Sequence, residues 1–300
     1  MGDYRFRNPM NRTAMDTGPT RQIIQQQKSL PTLSPSVQRI LSVCEDQGAS
    51  QGALAEAIGD APSIAARLLG LANSAFFGQA GGVHSLSHAI AVLGTTTVRS
   101  VAAGLVFAGM FDTRRCPGFD AARYWQSAEL TALLARHLTP QIAAGVRPPH
   151  DSVYLAGLLH NIGLLALTHL YPAEMDRAFV AYAAGRERAL GEHIRDALGI
   201  DHYEAGVWLG GKWHFPRDLL LVMEHHYNPA YRGDHWPLVL LEGLAARWAN
   251  QILDGHERLA PETEAARELG LPEDATATLL AATRGDLERV HAVAAAFAAS

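Results

Sequence analysis

Apolar residues recur along the chain at the three- and four-residue spacing of amphipathic helices, and no run shows the alternation of a strand. "SPSVQRILSVCED" is the first such segment. Val37, Ile40, Leu41 and Cys44 fall on one helical face, Ser34 is placed to cap the start, and Pro35 suits the first turn. Ser50 is predicted to cap a second, short helix that turns Leu54 and Ile58 inward. "APSIAARLLGLANSA" carries Ile64, Leu68 and Leu71 on one face. "LSHAIAVLG" and "TTTVRSVAAGLVFAGMF" read as two further helices parted at Gly94.

The pattern breaks at "DTRRCPGFD", where Pro117 and Gly118 predict a joint over residues 112–119. A second helical series follows. It runs from "AARYWQSAELTALLARHL" through "VYLAGLLHNIGLLALTHLYP", two helices across 173–199, "DHYEAGVWLGGKWHF" and "PRDLLLVMEHHYNP" to "WPLVLLEGLAARWANQIL". Short Gly- and Pro-containing loops link the segments, as in helix pairs. Residues 261–299 predict a short helix and an Ala-rich helix pair that caps the second lobe. Residues 1–18 lack periodicity and read as a disordered lead-in. The expected fold class is all-α, a two-lobed multi-helix bundle.

Composition narrows the function classes. Of 300 residues, 48% are apolar and 18% charged, enough for a substantial core. A net charge of −5, with no long Lys/Arg run, argues against nucleic acid or an anionic membrane as a partner. Cys44 and Cys116 are the only cysteines, which fits a reduced, intracellular protein without a disulfide. The polar N-terminus has no secretory apolar region, and no uncharged apolar stretch reaches the ~18–20 residues of a membrane span. The expected location is the cytoplasm.

Candidate chemistry rests on histidines, of which there are 14. His160 ends an apolar helix, His202 opens one after Asp201, and His225 and His226 close another; Glu242 lies in the helix after that. Imidazoles and carboxylates from several helices can converge on a divalent metal and activate its water. The competing reading is structural. Neighbouring helical residues point about 100° apart, so His225 and His226 need not share a site, and the helix dipole alone favours His at a C-terminus. Asn161, beside His160, offers a neutral oxygen where a hard metal wants a carboxylate. No HExxH, GxSxG, phosphate-loop or GxGxxG element occurs.

The order of the segments "LPTLSPSVQRIL", "LAEAIGDAPSIAARLLGLANSAFFG", "VHSLSHAIAVLG", "VRSVAAGLVFAGMF", "YWQSAELTALLA", "YLAGLLHNIG", "DHYEAGVWLGGKW" and "FPRDLLLVMEHHYNP" resembles the HDOD domain family, named for its relation to HD phosphohydrolases. The resemblance implies a domain over 19–254, with an N-terminal helical lobe at 19–112 and an HD-like lobe at 119–254, then a C-terminal helical extension at 255–300. Residue by residue, the HD metal ligands fall at Gln126, His160, Asn161, His202, His225, His226 and, loosely, Glu242. Gln126 and Asn161 replace expected ligands, so the resemblance implies a degenerate site with no catalytic residues, open at most to a single divalent metal. The implied function is a non-catalytic bacterial signalling module that binds a signalling protein or a small ligand such as a nucleotide or cyclic dinucleotide. The alternative is a metal-dependent phosphohydrolase acting on a nucleotide or cyclic dinucleotide.

Other residues carry lesser expectations. Asn73 ends a helix by bonding backbone groups. Phe76 and Phe77 are packing residues or a docking pair. Trp125, Trp208 and Trp213 are core anchors. Arg99 is solvated or bridges the lobes, and Arg186 and Arg188 are a solvated charged turn.

Overall fold

The computed structural model describes residues 32–299, except 47, 79–81, 186, 257–258, 260–262 and 273–274. The expected lead-in at 1–18 and Arg186 lie outside the described residues. All regular structure among the described residues is helical.

The first half holds α1 (Pro35–Glu45), α2 (Gln51–Gly59), α3 (Pro62–Ala72), α4 (Leu86–Leu93) and α5 (Thr95–Ala108). Their starts are set by side-chain caps. Ser34, Ser50 and Ser85 hydroxyls accept from the amides of Val37, Ala53 and His88 at 3.3, 3.1 and 3.1 Å. Gly94, at φ 83°, turns α4 sharply into α5, a bend of 114°. Asn73 acts on backbone as expected: its Nδ2 donates to the Leu69 and Val83 carbonyls and its Oδ1 accepts from the Val83 amide, which ties Val83 to the end of α3. Phe77 packs against the core, while Phe76 is exposed. Arg99 does not bridge the lobes. Its guanidinium donates to the carbonyls of Val43, Cys44, Asp46 and Ala49 and ties down the α1–α2 turn.

The second half holds α6 (Ala121–Leu138), a 3-10 turn (Thr139–Gln141), α7 (His150–Leu159), α8 (Ile162–Leu170), α9 (Pro172–Ala184), α10 (Leu190–Leu198), α11 (His202–Lys212), α12 (Arg217–His225), α13 (Trp236–Leu253), α14 (Thr263–Glu268) and α15 (Ala275–Ala298). Trp125 and Trp213 are buried as anchors, and Trp208 is partly buried. Arg188 is exposed and pairs with Asp196 at 2.8 Å. Neither Cys44 nor Cys116 forms a disulfide.

The interior divides into two apolar clusters, one that joins the two halves of the chain and one that lies within the second half. One joins α1–α5 to α8–α11 and to the end of α15, through residues such as Phe107, Leu167, Leu209 and Phe297. The other fills the space among α6, α7, α12, α13 and α15, around Leu134, Val153, Val222, Leu241 and Trp248. Two expectations are corrected here. The C-terminal Ala-rich piece is one 24-residue helix, not a pair. The single Gly285 costs only about 1 kcal/mol inside a run of strong helix formers. Nor does this helix cap the second lobe alone, for it packs on α6, α5 and α3, with Phe297 buried edge-on against Trp125 at 5.0 Å. Finally, Ser152–Leu170 is long and apolar enough to cross a membrane, at 19 residues and mean hydropathy 1.5. It is, however, 72% buried inside the protein and broken by the turn at His160–Asn161, which makes it core.

Candidate functional site

The turn between α7 and α8 is the centre of the site. His160 closes α7 and Asn161 opens α8. Two glycines bring the other histidines to it. A β-carbon on Gly163 would collide with the carbonyl oxygen of His202, so α8 and α11 meet backbone to backbone. A β-carbon on Gly243 would likewise collide with the His226 carbonyl, which seats α13 against the end of α12. The Asp201 side chain caps α11 by accepting from the Glu204 amide at 2.9 Å, and an ion pair to Arg195 holds Asp201 beside His202.

His160, His202 and His226 come together as buried rings. The His160 and His226 rings meet edge to face at 4.8 Å. Nδ1 of His160 donates to the Gly157 carbonyl at 2.6 Å, and Nδ1 of His226 donates to that of Val222 at 2.8 Å. His160 Nε2, His202 Nδ1 and Asn161 Oδ1 are buried with no hydrogen-bond partner. Burial, opposed only by the Gly157 bond, pushes the His160 pKa down to about 4. Burial also holds His202 at about 4, against the pull of Asp201 and with repulsion from His160 and Arg195. His226 lies well below the usual value, first by burial and then by repulsion from His160. At neutral pH all three rings are uncharged.

The remaining sequence candidates separate. His225 points away from the cluster, stacked on Tyr231 at 4.3 Å with Glu224 Oε2 3.5 Å from its Nε2. Glu242 is fully buried, with neither carboxyl oxygen bonded, and packs against Gly157, where a β-carbon would stand 2.8 Å from its Oε2. Burial alone raises its pKa well above that of an ordinary carboxylate. Gln126 is half-buried on α6. The five-residue ligand set expected from the sequence is therefore not assembled. Among the described residues, no group of three or more His, Cys, Asp or Glu side chains is placed to hold a metal ion. The residues present do not fit the carboxylate-bearing divalent centre of the HD type: the position beside His160 is an amide, and burial disfavours the ionised form of Glu242.

Two aromatic residues of the site carried no signal in the sequence. Tyr203 lies edge-on to His226 at 5.2 Å, and Tyr227 stacks on Tyr203 at 4.2 Å. Tyr227 is 42% exposed and forms the outer rim.

This all-helical architecture, with histidines gathered at one helix break, defines an HD-like domain. The chain belongs to the HDOD domain family, whose model matches residues 30–229. It is 25% identical over 232 residues to an uncharacterized protein of Treponema pallidum (strain Nichols), covering 75% of this chain but only 43% of that protein. Among solved structures, it is similar to one from Marinobacter aquaeolei VT8, named provisionally as a signal transduction protein. That match has 26% identity and a TM-score of 0.78, over 94% of this chain and 65% of that one. A protein from Shewanella amazonensis SB2B, named provisionally as a phosphohydrolase, shares the fold at 21% identity and a TM-score of 0.71, over 95% of this chain and 100% of that one.

Proposed function

We propose that this chain is a non-catalytic regulatory module of a cytoplasmic signalling system, acting by binding a signalling protein or a small ligand. The observation that carries the reading is the His160–His202–His226 cluster. It keeps the imidazoles of an HD-type centre but sets Asn161 where a metal-holding carboxylate belongs, and its rings are buried and uncharged. A hard divalent ion favours anionic oxygen ligands, and it is the ion, once held, that lowers the pKa of its water. The name of the Marinobacter relative, 26% identical, agrees with a signalling role.

The competing reading is a metal-dependent phosphohydrolase acting on a nucleotide or cyclic dinucleotide. The kept histidines favour it; Gln126, Asn161 and the burial that disfavours an ionised Glu242 oppose it. An untagged preparation assayed with magnesium, manganese or zinc against nucleotides, cyclic dinucleotides and a generic phosphodiester separates the two. The expected result is no turnover above the metal blank. Turnover that disappears in His160→Ala overturns the proposal.

A further inference from the structure

We propose that α15 is a clamp across the joint between the two halves of the chain, and that Glu129 on α6 is the pin that sets its register through Arg289. The clamp goes beyond the regulatory reading and does not rest on the histidine cluster. The seam between the two apolar clusters runs along α6, α7 and α15. From α6, Trp125 and Ala128 join the first cluster and Leu130 and Leu134 the second. From α15, Leu279 and Val290 join the second cluster, and Val293, Ala294 and Phe297 the first. Phe297 is the anchor on the first half. Its ring meets Trp125 edge-on, and a β-carbon on Gly104 of α5 would collide with it.

Apolar packing alone fixes the position of this helix poorly along its axis. Leu279, Thr283, Asp286, Val290, Val293 and Phe297 recur at steps of four and three residues. Such a stripe nearly matches itself one turn along. Alanine, the commonest residue of α15, has little shape to resist the shift. A polar junction on the seam supplies what the stripe lacks. Glu129 is fully buried, between Ala128 of one cluster and Leu130 of the other. Tyr154 on α7 donates to one of its oxygens, and Ser100 on α5 lies within reach of the same phenol. The other oxygen is buried without a hydrogen-bond partner, and so is Nε of Arg289. The Arg289 guanidinium attracts the carboxyl, aided by Arg136 on α6 and opposed by Asp286 on α15. Asp286 Oδ2 itself stands 3.9 Å from His137 Nε2 on α6. Of these groups, Arg289 is the one that brings positive charge from α15. One turn of slip carries it about 5.4 Å away and strips the buried carboxyl of that charge. Buried charge pairs add little net stability, and setting register is their best-attested use.

The test is hydrogen–deuterium exchange read by mass spectrometry on the full-length chain at pH 7.5. It compares wild type, Arg289→Lys, Arg289→Met, and Glu129→Gln combined with Arg289→Met. Lysine keeps the charge, methionine keeps bulk without it, and glutamine keeps an oxygen for the Tyr154 hydroxyl. The reference is α10, which packs on α9 and α11. Arg289→Met is expected to exchange at least about tenfold faster in α15, with α10 unchanged. Arg289→Lys and the double variant are expected within about threefold of wild type. An Arg289→Met chain that fails to fold beside a double variant that folds supports the clamp equally. The proposal is overturned by unchanged exchange of α15 in Arg289→Met, or by an equal rise in α10. It is also overturned if Arg289→Lys exchanges as fast as Arg289→Met, or if the double variant is no better protected or folded than the single.

Discussion

Two buried polar sites lie less than two turns apart on α7, and they treat charge in opposite ways. At Tyr154, the phenol donates to the fully buried carboxyl of Glu129 on α6. Burial raises the Glu129 pKa, while the Tyr154 bond and the nearby guanidinium groups of Arg289 and Arg136 pull it back. One Glu129 oxygen lacks a hydrogen bond but lies in that positive field. At His160, burial acts on three imidazoles, and the only carboxylate favouring a charged ring is Asp201, which is already paired with Arg195. The chain supplies partners for the first site from α6, α7 and α15. It leaves the second with unpaired atoms. Buried polar groups are normally satisfied from within, so Glu129 reads as framework, and the unpaired atoms of the histidine cluster agree with the binding role proposed for it.

Substitutions can break this comparison. The largest effect is expected at Gly163→Val, because the added side chain meets the His202 backbone and the α8–α11 crossing cannot relax. The expected loss exceeds about 4 kcal/mol, read as insoluble protein or a lowered urea midpoint. Next is Glu129→Ala, which strips Tyr154 of its acceptor inside the core and is expected to cost about 3 kcal/mol. His160→Leu removes a buried polar group that has an unpaired atom and fills a similar volume, so its cost should stay within about 1 kcal/mol by the same measurement. Equal losses for Glu129→Ala and His160→Leu would erase the distinction between the two sites.

A smaller effect appears with pH. The pKa values of His160 and His202 are about 4 in the folded protein, below the usual histidine value near 6.5. The folded state therefore binds fewer protons than the unfolded state between those limits, and stability falls as the pH drops through that window. From pH 6.5 to 5 the loss is on the order of 1.5 kcal/mol for each histidine. Glu242 acts with the opposite sign. Its raised pKa is a penalty above the unfolded carboxylate value, and acid relieves it. Glu242→Gln removes that relief, so the variant should lose more stability than wild type between pH 6.5 and 5 in paired melting curves. A smaller loss in the variant contradicts the assignment.

Much of the framework was legible because it is local. Ser34, Ser50 and Gly94 mark helix ends through caps and a turn that need only neighbouring residues. Asn73 was readable for the same reason. His160, His202 and His226 were legible as candidates through the order of motifs. Which of His225 and His226 faces inward was not, because the roll of α12 is set by α13 packing at Gly243, far along the chain. Tyr203 and Tyr227 enter the site by the same long-range packing. Glu129 gave a signal that went unused: a lone acid within the apolar run "SAELTALLA" on a buried helix. The unbroken α15 and the buried Ser152–Leu170 stretch both depended on tertiary surroundings that composition does not reveal.

The central claim is that the histidine cluster lacks the carboxylate with which an HD-type centre holds a hard divalent ion. Calorimetric titration of manganese chloride into the full-length chain at pH 7.5, beside Asn161→Asp, tests it most directly. The account predicts no stoichiometric binding to wild type and measurable binding once the carboxylate is restored. One equivalent of manganese bound by wild type, with affinity unchanged in Asn161→Asp, would contradict it.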